Sequence, residues 1–130
     1  MKRLFDQYGI SDTVDSVGLV DWNVGNPPDL RAIEVAKDNG IDISRHRARQ
    51  IHKSDFKKFD AIIVMDNQNE IAINKICPPA DLRKIHKITS FDDTLSGEDI
   101  ADPYHSDRKA FQETFNKLNH LCKLAFLELS

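Results

Sequence analysis

Phe59-Asp60-Ala61-Ile62-Ile63-Val64-Met65 is apolar throughout except at Asp60. Such a run suits a strand covered on both faces, the environment of a parallel sheet. Working outward, Asp66-Asn67-Gln68-Asn69 has the composition of a helix start, and the helix is expected to run to about Ile76. Ile85 to Ile88 reads as a weaker strand. On the other side, Asp29 to Asn39 reads as a helix, with Leu30, Ile33 and Ala36 on one face and Gly40 closing it. Thr13-Val14-Asp15-Ser16-Val17 suits a short strand, and Trp22, Gly25 and Pro27-Pro28 fall in loop. Residues 1–9 look like the middle and end of a helix, with Leu4, Phe5 and Tyr8 on one face but no capping residue ahead of them. The last helix is expected from about Ser106, with the stripe Phe111, Phe115, Leu118, Cys122, Ala125 and Leu129 turned inward. Strand and helix patterns alternate, so the expectation is one α/β domain over 1–130.

The length of 130 residues fits one domain able to bury its own core. A net charge of −3 argues against a nucleic-acid partner, which ordinarily meets a basic face. Ala61 to Met65 is the longest purely apolar run, far too short to span a bilayer, so no membrane partner is expected. Two cysteines, Cys77 and Cys122, make no disulfide framework, and a cytoplasmic setting is expected. His52, His86 and His120 form no metal-ligand spacing.

Four stretches carry a family resemblance when taken together. They are Val14-Asp15-Ser16-Val17-Gly18 followed by Trp22 and Gly25-Asn26-Pro27-Pro28-Asp29; His46-Arg47-Ala48-Arg49-Gln50; Val64-Met65-Asp66 with Asn69; and Asp102-Pro103-Tyr104. In this order and at these separations the chain resembles the low-molecular-weight protein tyrosine phosphatases. The resemblance implies a flavodoxin-like three-layer α/β sandwich with a parallel sheet, hydrolysis of a phosphomonoester through a cysteinyl-phosphate, and no cofactor. It implies a phosphotyrosine protein or a small aryl phosphate as substrate. Asp102 would be the general acid. Trp22 and Tyr104 would flank the substrate ring. Ser16 and His46 would hydrogen-bond the phosphate loop, and Asp66 would orient its arginine.

The family's first strand and its loop, of the form Cys, five residues, Arg, then Ser or Thr, would precede Met1, and Met1 to Phe5 looks like the inside of the helix that follows them. The expectation is therefore a domain lacking its first, interior strand. It would be inactive as written, and would fold poorly, pair 13–17 directly with 59–65, or self-associate through an exposed sheet edge. Cys77-Pro78-Pro79-Ala80-Asp81-Leu82-Arg83 also matches Cys, five residues, Arg. It makes a poor phosphate cradle, because two prolines lack N–H groups, Asp81 repels phosphate and no glycine is present. His105 replaces a second tyrosine that many members carry, and Val17 and Leu19 replace a small residue and a Thr. Two other readings remain: a non-catalytic binding module, and an arsenate reductase, which shares the fold but needs redox cysteines.

Overall fold

The strand expected at 59–65 is shorter in the computed structural model, which describes residues 1, 4, 8, 14–19, 24–101, 103 and 107–129. Strand β1 is Ile62–Val64 and strand β2 is Ile85–Lys87. They pair in parallel with Ile62 opposite Ile85, Ile63 opposite His86 and Val64 opposite Lys87. Alternation along β1 sends its side chains into two separate cores. Ile62 and Val64 join Phe56, Ile73 and Cys77 on one face, while Ile63 joins Ile88, Ile100, Leu121 and Ala125 on the other. The sheet is therefore covered on both sides, which is why β1 is apolar at consecutive positions.

One cover consists of α2 (Asp55–Lys58) and α3 (Asn67–Ile76), which supply Phe56 and Ile73. The other is α4 (Arg108–Leu129), which supplies Leu121 and Ala125. Helix α1 (Leu30–Asp38) packs on α4, with the Arg31 guanidinium 4.5 Å from the centre of the Phe111 ring. The boundaries follow from chemistry legible in the sequence. Asp29 caps α1 by accepting the Arg31 N–H, and Asp66 caps α3 by accepting the Asn69 N–H at 2.7 Å. Beyond β2 the chain tightens into a 3-10 turn at Ile88–Phe91. The layered open parallel sheet is α/β and flavodoxin-like, as expected.

Three expectations need correction. Residues 14–17 form no strand, and Gly18 makes only one isolated parallel bridge, to Gln50. Asp15, Ser16 and Val17 are all exposed, so this segment has no pair of apolar faces to bury, and its polar side chains bond outward instead. Among the described residues, none of 14–17 pairs with 59–65, and the adjoining Gly18 bonds Arg49 and Ile51 instead. On α4, Leu121 is 0% exposed and Phe126 is buried, whereas Cys122 is only half-buried and Leu129 is 44% exposed. The buried stripe is rotated toward Leu121 and ends before Leu129, where the helix has run past the apolar layer. Of the helix expected at 1–9, the described residues give a bond from Tyr8 N–H to Leu4 O at 3.1 Å and stacking of Tyr8 on Phe126 at 5.4 Å. Residues 2, 3, 5–7 and 9 lie outside the described residues.

Candidate functional site

Three loop segments are laced together beside the sheet. Gly18 N–H donates to Arg49 O at 2.8 Å, and Ile51 N–H donates back to Gly18 O at 2.8 Å. Gly25 N–H donates to Ala48 O at 2.7 Å, and Ala48 N–H donates to Asn26 O at 2.9 Å. Gly25 turns the middle segment at φ of 83°, a region that disfavours any side chain. The weave leaves an open cleft of about 230 Å³ lined by Ser16, Val17, Gly18, Val24, His46 and the flanking Ala48 and Arg49.

Ser16 and His46, thirty residues apart in sequence, meet on the wall of this cleft. Ser16 Oγ lies 2.7 Å from His46 Nε2, and the imidazole tautomer decides which atom donates. Among the described residues no carboxylate bonds the other ring nitrogen. The pair therefore has no orienting acid of the kind that activates a serine nucleophile. It is better suited to holding a loop by hydrogen bonds.

Arg49 anchors the wall from behind. Its Nη1 and Nη2 donate to the two carboxylate oxygens of Asp55 at 3.1 and 2.9 Å, while Nε donates to Asp15 Oδ2 at 3.0 Å. The forked contact to Asp55 matches the planar guanidinium. Asp55 also accepts His52 N–H at 2.7 Å. The Arg49 bonds hold Asp55 below the usual aspartate range against the opposing effect of burial. For Asp15, burial is the largest influence and pushes upward, but the Ser16 N–H and Arg49 together outweigh it, and the carboxyl again lies low. Arg49 is raised in turn, first by Asp55.

Asp66 sits just past the carboxyl end of β1, where ligands gather in open α/β sheets. It is half-buried, and Oδ1 is committed to the Asn69 N–H. The structure does not bring it into the lining of the Ser16–His46 cleft. Nearby is a device the sequence reading missed. Lys87, buried at the end of β2, donates to Asn67 Oδ1 at 2.8 Å and Gly97 O at 3.2 Å, and pairs with Asp99 at 2.5 Å. Asp99 also accepts Asn67 N–H at 3.0 Å, Thr89 Oγ1 donates to Glu98 O at 2.7 Å, and Ile100 N–H donates to Met65 O at 2.9 Å. Residues 97–100 are thereby pinned to the carboxyl ends of both strands. A lysine inside the expected strand 85–88 was the available signal, since a lysine is almost never buried without a partner.

Trp22, Asp102 and Tyr104 lie outside the described residues, and so does His105. Pro103 is described and half-buried. Cys77 ends α3, is buried, and its Sγ donates to Pro78 O at 3.4 Å. Burial, and then Asp81, push its thiol above the ordinary cysteine value, the reverse of what a nucleophile needs. Its sequel Pro79–Lys84 is a 3-10 turn with Asp81 buried between Lys57 and Lys84, which leaves no room for an anion. Among the described residues no group of three or more His, Cys, Asp or Glu could hold a metal ion, and no helix is long and apolar enough to cross a membrane.

Comparison with known proteins gives a family match along the whole chain. A family model described as low molecular weight phosphotyrosine protein phosphatase matches residues 1–130. A relative of that name from Schizosaccharomyces pombe is 37% identical over 107 residues, covering 82% of this chain and 68% of the relative. One from Sus scrofa is 35% identical over 135 residues, covering 98% of this chain and 81% of the relative. The crystal structure of a protein tyrosine phosphatase from Entamoeba histolytica superposes with a TM-score of 0.91 at 28% identity, covering 98% of this chain and 83% of that one. Sequence and fold agree, and the chain belongs to the low molecular weight phosphotyrosine protein phosphatase family.

Proposed function

We propose that this chain serves hydrolysis of an aryl phosphomonoester, phosphotyrosine in a protein or a small aryl phosphate, through a cysteinyl-phosphate. In the first step a thiolate attacks phosphorus and the P–O bond to the phenol breaks. Asp102 gives its proton to the leaving phenolate. In the second step water attacks the cysteinyl-phosphate, Asp102 takes the water's proton, and the thiolate departs. Trp22 and Tyr104 flank the phenyl ring. Ser16 and His46 hydrogen-bond the loop that carries the thiolate, and Asp66 offers its second carboxylate oxygen to that loop's arginine. The observation that carries the reading is the Ser16–His46 bond of 2.7 Å on a cleft wall, within stretches that match the family.

The 130 residues do not turn over by themselves on this reading. Cys77 is buried with its thiol pushed up, and Cys122 is half-buried in the middle of α4. Neither sits in a nest of amides that would stabilise a thiolate. The same observation favours, as the second reading, a non-catalytic module that binds through the cleft. Hydrolysis of p-nitrophenyl phosphate by the purified chain tests the point. No turnover above background is expected, and turnover abolished by Cys77→Ala would overturn the rejection of that cysteine.

A further inference from the structure

The loop that forms the cleft wall is basic in an otherwise acidic chain. From Ile43 to Ser54 it carries Arg45, Arg47, Arg49 and Lys53 with His46 and His52, and it has no acidic residue, whereas the chain as a whole is at −3. Arg49 is neutralised by Asp55 and Asp15. Arg45, Arg47 and Lys53 are exposed and make no ion pair among the described residues. The one carboxylate close to Arg45, that of Asp42, is occupied by Ser44, which donates to it from N at 2.9 Å and from Oγ at 2.6 Å.

Arg47 is held in place. Its Nη1 donates to Ser44 O and to His46 O, each at 2.8 Å. Carbonyl oxygens fix the guanidinium without cancelling its charge, and the remaining N–H groups are left to a carboxylate, which they can meet in a fork. Prior fixation also lowers the side-chain entropy lost on binding. His46, between Arg45 and Arg47 in the chain, lines the cleft, so both cations are carried by neighbours of a cleft-lining residue.

We propose that the loop from Ser44 to Lys53 is a recognition surface for an acidic peptide, reading carboxylates on either side of the residue that enters the Ser16–His46 cleft. The proposal rests on the reading of that cleft as a phosphotyrosine site. Two or three exposed pairs of about 0.5–0.6 kcal/mol each sum to about 1.0–1.8 kcal/mol, roughly a five- to twentyfold preference.

Fluorescence anisotropy on the 130-residue chain tests it, with labelled tyrosine peptides flanked by Asp and Glu or by Lys, each with and without phosphate on tyrosine. At about 20 mM salt the acidic peptides are expected to bind about five- to twentyfold more tightly than the lysine ones. The preference should collapse near 0.5 M salt, where the Debye length falls to a few ångströms. The double variant Arg45→Gln, Arg47→Gln, altered only on exposed side chains, should lose it, with the circular dichroism unchanged. Equal binding of acidic and lysine peptides overturns the proposal. So does tighter binding of a single-stranded oligonucleotide of the same charge, which would make the patch a nucleic-acid surface. If the acidic preference persists but phosphate strengthens binding neither here nor in the chain fused to a relative's first strand and Cys-x5-Arg loop with that cysteine replaced by serine, the recognition surface stands and the phosphotyrosine reading fails. If phosphate strengthens binding without any flank preference, the reverse holds.

Discussion

Arg49 holds Asp55 with two guanidinium nitrogens and Asp15 with the third, and so ties residue 15, beside Ser16, to the start of α2. Removing Asp55 leaves the Arg49 fork and the His52 N–H without their acceptor, and such losses cost about 1–3 kcal/mol each when buried. Both aspartates titrate below the unfolded value of about 3.9. A carboxyl depressed in the folded state contributes stability above its unfolded pKa and loses that contribution as pH falls through its folded pKa. Asp55→Asn should therefore be less stable than the parent chain at pH 7 in a urea titration. The gap should shrink steadily as pH is lowered through and below about 4. A gap that does not depend on pH would show that the charge of Asp55 does not act through this network. None of this was legible in the sequence, where Arg49 stood inside a matched stretch but nothing indicated which acids it would meet. The bond between Ser16 and His46 was not legible either: the resemblance singled out both residues for a phosphate loop, but nothing in the spacing joined one to the other across thirty residues.

At the scale of elements, the caps and stops were the most legible features. Asp29, Gly40 and Asp66 act locally, within a few residues of their own position, and each falls where the sequence puts it. The strand expected at 13–17 failed because pattern was read without its neighbours: Val14 and Val17 resemble a strand, yet among the described residues 14–19 the backbone of 48–51 bonds Gly18 alone, and Arg49 draws the Asp15 side chain away from any ladder. The misjudged stripe on α4 has a similar cause, since a choice between adjacent Leu121 and Cys122 turns on how the helix is rotated against Ile88 and Ile100. The Lys87 clamp joins β2, the first turn of α3 and residues 97–99, just ahead of the proposed general acid. Lys87→Met removes the cation and leaves Asp99 and Asn67 without it. Amide exchange at Asp99 and Ile100 should accelerate by about tenfold or more, with Val64 and Ile73 changed far less, since local opening draws on local contacts. Combining it with Asp99→Leu should recover much of the protection, as replacing a whole ion pair by apolar groups is often neutral. Uniform acceleration at all four amides would mean that the lysine supports the whole domain rather than this segment.

Across the whole molecule, the layered architecture was legible because a fully apolar strand admits few environments, and covering both faces of β1 requires helices on either side. The family was legible in a different way. No single residue announces it, and the resemblance rests on four stretches taken in order, which agrees with a family match over residues 1–130. The central claim is that Asp102 is the proton donor for an aryl leaving group. It is tested most directly by fusing a relative's first strand and Cys-x5-Arg loop ahead of Met1 and measuring kcat on phenyl phosphate, a poor leaving group, with and without Asp102→Ala. The account predicts a fall of about 10²–10⁴, smaller on p-nitrophenyl phosphate, whose phenolate leaves with little help. A fall of less than about threefold on phenyl phosphate would contradict it.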